Sequence, residues 1–153
     1  MEKTKKIITN NKRANHDYFL EERFECGLIL TGTEIKSIRK GSAQLKESYV
    51  TFLNHEAFIK GMYIGAYEFG NRFNHDEKRD RKLLLHKSEI RKLQQKVQLK
   101  GYTVVPTILY LTNGRAKLEI ALAKGKDVHD KRETQKEKDA KREIEKAVKL
   151  RFQ

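Results

Sequence analysis

The sequence predicts a mainly β domain with a few short helices, followed by a tail that has no core of its own. Three observations carry this. Several runs alternate apolar and polar residues with the period of two that marks half-buried strands. No strand–helix–strand repeat occurs, so the strands are expected to pair antiparallel. After Ala123 the apolar content collapses, and Glu133 to Asp139 contains no apolar residue.

Ile7-Ile8-Thr9 reads as a short strand, and Asn10 to Asp17 as a polar, basic, turn-like connection. Next comes a long strand. Tyr18, Leu20, Phe24, Cys26, Leu28 and Leu30 are expected on one face, with Glu21, Arg23 and Glu25 on the other. Glu22 breaks the alternation and predicts a bend or bulge. Thr33 is the expected cap of a short helix, with Glu34 in its first turn. Ile35 and Ile38 would cover the end of the barrel, and Gly41 would stop the helix.

Ser48 to Leu53 and Ala57 to Ile59 form a hairpin about the turn Asn54-His55-Glu56. Gly61 to Ile64 is read as an extension of its second strand. The stretch from Gly65 to Lys82 is a long irregular connection. It interleaves Tyr67, Phe69 and Phe73 with Arg72, Lys78, Arg79, Arg81 and Lys82. Aromatics among cations suit RNA, where rings stack on bases and cations meet phosphates. The plainer reading is a solvated loop whose rings fold back onto the domain.

After the apolar run Leu83-Leu84-Leu85, a helix starts near Ser88, buries Ile90, Leu93 and Val97, and ends at Lys100-Gly101. The last unit is a hairpin about Asn113-Gly114, a type I′ turn signal. Pro106 belongs at an edge, a bulge or a strand start. These elements together predict an OB-fold-like antiparallel β-barrel, of the oligonucleotide-binding type.

Residues 1–123 are thus read as the barrel domain and residues 124–153 as a flexible basic tail. The tail has high helix propensity and good i,i+4 pairs at Glu137–Lys141 and Glu145–Lys149. Its apolar stripe is thin, so it is expected to be disordered when free and helical when bound.

The chain has 153 residues, with 34 lysines and arginines against 21 acidic residues and a net charge of +13. That balance points to a polyanionic partner. No apolar run has the length of a membrane span and no secretory apolar region follows the first residues, so a cytoplasmic protein is expected. The single cysteine, Cys26, is read as a small core residue. His16, His55, His75, His86 and His129 lack metal-ligand spacing, and no nucleotide-binding loop or nucleophile elbow occurs. A protein without metal, cofactor or catalytic activity is expected. A histidine–lysine nuclease is the enzyme alternative, and a generic RNA-binding or ribosome-associated barrel the non-enzymatic one.

Five segments, in order and spread over the chain, carry a resemblance. They are Asn11-Lys12-Arg13-Ala14 with His16-Asp17-Tyr18-Phe19; Gly32 to Arg39; Asp80 to Lys87; Leu122 to Lys126; and His129-Asp130-Lys131-Arg132. With them the sequence resembles the SmpB family of SsrA-binding proteins, the partners of transfer-messenger RNA (tmRNA, SsrA RNA) in trans-translation. The resemblance implies a barrel that binds the tRNA-like domain of tmRNA. It also implies a tail that enters the decoding centre and empty mRNA channel of a stalled ribosome.

By resemblance, tmRNA contacts fall on Asn11, Lys12, Arg13, Glu25, Lys36, Leu85 and His86. Contacts with small-subunit rRNA at the decoding centre fall on Gly125, Lys126, His129, Asp130, Lys131 and Arg132, with Gly125 letting the backbone turn at the barrel's end. Ile144, Ala147 and Val148 would be the packing stripe of the tail helix. Elongation factor Tu and alanyl-tRNA synthetase are implied only indirectly, through tmRNA. One departure is Asp76-Glu77, where many relatives have Asp-Pro.

Overall fold

A computed structural model describes residues 5–69 and 74–126. In chain order these form β1 (Lys5–Asn10), α1 (Lys12–Asp17), β2 (Tyr18–Leu28), α2 (Gly32–Arg39), β3 (Ala43–Gln44), β4 (Tyr49–Leu53) and β5 (Glu56–Lys60). They continue as β6 (Tyr63–Ile64), β7 (Arg81–Leu84), α3 (Lys87–Val97), β8 (Tyr102–Thr112) and β9 (Arg115–Gly125). Arg72, Phe73, His129, Asp130, Lys131, Arg132, Ile144, Ala147 and Val148 lie outside the described residues.

The hairpin of β8 and β9 closes the sheet. The strand order is β1-β8-β4-β5-β7-β2-β9, and β8 also pairs with β9, so β8, β4, β5, β7, β2 and β9 run round in a ring. Every pairing is antiparallel, which makes this an OB-like β fold as the alternation predicted. Asn113 and Gly114 both have positive φ, as the type I′ turn requires, and so do Asn54 and His55 in the first hairpin. The inward-facing residues form one core that includes Cys26, Ile59, Leu83, Val104, Leu109, Leu118 and Ile120. Ile38 of α2 and Leu93 of α3 are fully buried in it. Cys26 is indeed a core thiol: burial, then Glu89 and Glu25, push its pKa up to about 12.

The bulge expected at Glu22 exists, and it corrects the face assignment. Leu20 pairs with Ala123 but Arg23 pairs with Ala121, so β2 gains one residue there. An extra residue inverts the parity of a strand. Phe24 and Leu28 therefore join the main core, whereas Tyr18 and Leu20 turn to the other side and pack with Ala14, Val105 and Ala123. Pro106 likewise marks a register shift, between Pro106 and Ile108 of β8.

Four other expectations change. Residues 12–17 are helical rather than turn-like, because tertiary contacts hold them. The Asn11 amide and side chain donate to the carbonyls of Thr107 (2.7 Å) and Pro106 (2.9 Å), and Ala14 is buried. The cap of α2 is Thr31, two residues earlier than expected. Its hydroxyl accepts from the Glu34 amide while Glu34 Oε1 accepts from the Thr31 amide at 2.9 Å. Residues 61–64 do not extend β5. Gly61 turns the chain with φ of 78°, and Tyr63–Ile64 pairs instead with Ala43–Gln44. Gly125 does not turn the backbone. It continues β9 opposite Tyr18, and its amide donates to Gly101 O at 2.9 Å.

The largest correction concerns Arg81. The long connection ends at Asp80, and Arg81 opens β7 pointing into the core, with a fully buried side chain. It pairs with the equally buried Glu34, and its Nη1 donates to Met62 O at 2.5 Å. Arg79 Nη2 reaches the other Glu34 oxygen at 2.6 Å. Burial alone would raise the Glu34 carboxyl, but donation from Arg79, the Thr31 amide and Arg81 outweighs it and brings the pKa to about 2. Arg81 is therefore a buried structural cation, and Arg79 is committed to the same carboxylate although part of its side chain stays exposed.

Candidate nucleic-acid interface

Glu25, Leu85 and His86 come together. They line one open groove of about 560 Å³ with Leu84, Lys117 and His55. β2 supplies Glu25 by its outward parity after the bulge. β7 runs antiparallel to β2 with Gly27 opposite Leu84, which brings the Leu84–His86 segment alongside. His86 is exposed at the N-terminal boundary of α3, and its amide donates to Glu89 Oε1 at 3.0 Å. That pairing belongs to a capping box between His86 and Glu89, which fixes the segment at the start of α3 while His86 stays exposed.

Glu25 is not a free surface glutamate. The Tyr110 hydroxyl donates to its Oε2. Burial, then Glu25 itself, pushes the Tyr110 phenol well above its ordinary value, so it remains a donor at neutral pH. Lys5 Nζ lies 4.2 Å from the centroid of the Tyr110 ring. The carboxylate is thereby held by one oxygen with capacity to accept from a partner at the other. Along the groove Lys82 pairs with Glu56 at 3.0 Å, whereas Lys87 and Lys117 have no ion pair among the described residues. Such cations suit phosphates.

Two residues here escaped the sequence reading. Leu84, at 54% exposure, is the open leucine of the groove, whereas Leu85 packs partly against the core. In a run of three leucines only strand parity separates them. Tyr110 was invisible as the partner of Glu25 because 85 residues separate them.

The other expected residues stand elsewhere. Asn11 and Arg13 line a second groove of about 400 Å³ with Tyr18 and Tyr49. Lys12 and Arg13 are exposed on α1. Lys36 lies on α2, with its Nζ 5.5 Å from the Tyr67 ring centroid. Gly125 and Lys126 mark where the tail begins. The Lys126 amide donates to Asp17 O at 2.9 Å, its Nζ to Asn15 O at 3.0 Å, and the ammonium sits 4.9 Å from the Phe19 ring centroid. The tail's first residues are thus pinned beside α1.

Among the described residues no group of three or more His, Cys, Asp or Glu side chains is placed to hold a metal ion. No described helix is long and apolar enough to cross a membrane.

An OB-like sheet with an open groove of acceptor, imidazole and leucine, flanked by lysines, defines a class: a small β protein built to bind RNA. The particular family follows from comparison with known proteins. The family model described as SmpB protein matches residues 8–150, and this chain belongs to the SmpB family. An SsrA-binding protein from Shouchella clausii is 55% identical over 147 residues, covering 96% of this chain and 94% of the relative. One from Geobacter metallireducens is 55% identical over 146 residues, covering 95% of each. A chain in the solved structure called "tmRNA-SmpB: a journey to the center of the bacterial ribosome" is 44% identical, with a TM-score of 0.67 over 78% of this chain and 85% of its own length. SmpB is an RNA-binding family and is not known as an enzyme family.

Proposed function

We propose that this chain is a non-catalytic protein that binds the tRNA-like domain of tmRNA and delivers it to the A site of stalled ribosomes for trans-translation. The observation that carries this is the convergence of Glu25, Leu85 and His86, with Leu84, on one groove, in a chain whose likeness to SsrA-binding proteins runs nearly end to end. Glu25 accepts from base or ribose donors, His86 packs on splayed bases with Leu85 and the more exposed Leu84, and Lys87 and Lys117 meet phosphates. Asn11, Lys12, Arg13 and Lys36 add further contacts to the same RNA.

Residues 1–123 act as the RNA-binding unit and residues 124–153 as the ribosomal probe. Gly125, Lys126, His129, Asp130, Lys131 and Arg132 meet the decoding centre. Ile144, Ala147 and Val148 form the packing stripe of a helix in the empty mRNA channel. The protein works in the cytoplasm, and elongation factor Tu and alanyl-tRNA synthetase meet it through tmRNA.

A gel-shift titration against labelled tmRNA, with an elongator tRNA as competitor at near-physiological salt, tests the reading. Tight binding that tRNA displaces poorly is expected, with log K falling against log salt by ~0.7–0.9 per neutralised phosphate. Equal weak binding to both RNAs would leave only a generic basic barrel. Deleting residues 124–153 should spare tmRNA binding and abolish tagging; equal loss of both would refute the division between barrel and tail.

A further inference from the structure

A second surface has the chemistry of a base-stacking site, apart from the Glu25 groove. Tyr67 and Phe69 meet edge to face, with ring centroids 5.7 Å apart. Lys40 Nζ lies 5.2 Å from the Tyr67 centroid and 4.7 Å from that of Phe69, and Lys36 Nζ lies 5.5 Å from the Tyr67 centroid. Phe69 is nonetheless 65% exposed. The notable feature is the grouping of this open ring with a second ring and two ammonium groups, the combination that single-stranded nucleic acid uses.

The support beneath the pair is built, not loose. Asn74 brackets Tyr67, its Oδ1 accepting from the Tyr67 amide at 3.0 Å and its Nδ2 donating to the Tyr67 carbonyl at 2.6 Å. His75 hydrogen-bonds Ile64 O through Nε2 and the Thr33 hydroxyl through Nδ1, each at 2.9 Å. The segment around the rings is thereby stapled to α2, which carries Lys36 and has Lys40 at its C-terminal cap.

We infer that Tyr67, Phe69, Lys36 and Lys40 form a second RNA-contact surface, which takes an unpaired nucleotide by stacking it on Phe69 while the two ammonium groups meet its flanking phosphates. An RNA occupant follows from the charge. The patch holds two cations and two rings, on a chain of net charge +13. Stacking on an exposed ring is worth ~1–3 kcal/mol per base, about 5- to 150-fold in affinity. The unpaired nucleotide comes from tmRNA itself or from rRNA, and both present the same chemistry. The surface goes beyond the tmRNA reading, which places Lys36 alone on that RNA.

The test uses the full chain and three probes: a short oligouridylate, tmRNA and purified ribosomes. Phe69→Ala should weaken oligouridylate binding at least 5-fold with the salt slope unchanged, and Phe69→Trp should restore it. Lys36→Gln with Lys40→Gln should lower the salt slope by up to ~2. Leu53→Ala, which removes a side chain of similar exposure (64%) away from the patch, is the control and should change nothing. A parallel loss with tmRNA alone assigns the nucleotide to tmRNA; a loss with ribosomes alone assigns it to rRNA. The inference is overturned if Phe69→Ala changes oligouridylate binding less than 2-fold, or if Leu53→Ala weakens it equally. Because that arm involves no tmRNA, its outcome is separable from failure of the tmRNA reading.

Discussion

Glu34 lies in the buried region between α2 and β7, and Glu25 lies on the open face of β2. Each is held by neighbours, but in different numbers. Glu34 is fully buried and accepts from the Thr31 amide and from two arginines. Glu25 is exposed and accepts from one phenol. A buried carboxylate must have its charge compensated within the fold. An exposed one with a single fixed donor keeps acceptor capacity that water fills until a partner arrives. Saturation of the carboxylate is what separates the buried structural Glu34 from Glu25, which keeps acceptor capacity on the surface.

The sharpest way to break this comparison is to uncharge each glutamate in turn. Glu34→Gln leaves the buried Arg81 guanidinium without its counter-ion and should cost ~3–5 kcal/mol of stability, read as a lower denaturation midpoint. Glu25→Gln should leave that midpoint nearly unchanged. Similar destabilisation by both variants would end the distinction.

Acid tests the buried half of the comparison too. The Glu34 carboxyl is depressed from 4.5 to about 2, so its stabilising contribution is complete above pH 4.5 and is lost as pH falls through about 2. Denaturation midpoints followed between pH 6 and pH 2 should therefore decline below about 4.5 in the wild-type chain. Glu34→Gln should remove part of that decline; an undiminished decline would mean that this ion pair does not carry it.

On the binding side the ranking reverses. Glu25→Gln removes a charge-assisted acceptor, worth ~1.5–3 kcal/mol, and should weaken tmRNA about 10- to 150-fold in a titration with the salt slope unchanged. Leu84→Ala and Leu85→Ala sharpen the contrast one residue apart. The first should lower tmRNA affinity by about 1 kcal/mol with little effect on stability, and the second should chiefly lower stability, with a smaller loss of affinity. Swapped phenotypes would mean that exposure does not report contact in this groove. The smallest effect is expected from Tyr110→Phe, which keeps the ring and loses the donor to Glu25. A 2- to 5-fold loss of tmRNA affinity, ~0.5–1 kcal/mol, is the expected reading.

The long strands, both turns about Asn54 and Asn113, and the bulge at Glu22 were legible because each depends on residues close in sequence; the short pairing of Ala43–Gln44 with Tyr63–Ile64 was not. The family resemblance pointed to Glu25 and His86 as expected contacts, and the fold brings the two to one groove. Arg81 was misread for a physical reason. It sits in a run of cations, and nothing nearby reveals that Glu34, 47 residues away, draws it inward. Which of Leu84 and Leu85 is the more exposed was not legible either, because only the pairing of β7 with β2 decides it. The helix at residues 12–17 depends on carbonyls of β8, 95 residues from Asn11 in one bond.

By itself the sequence determined the fold class, the turn chemistry and the basic character of the chain. Periodicity, glycine and asparagine placement and net charge are properties of short windows or of the whole composition. The tertiary structure alone decided which charges are exposed and which are buried, which leucine is exposed, and that Lys36 and Lys40 meet two aromatic rings. Those outcomes are set by pairings between distant segments, where the cost of burying a charge and the parity of a strand act only once the sheet has closed.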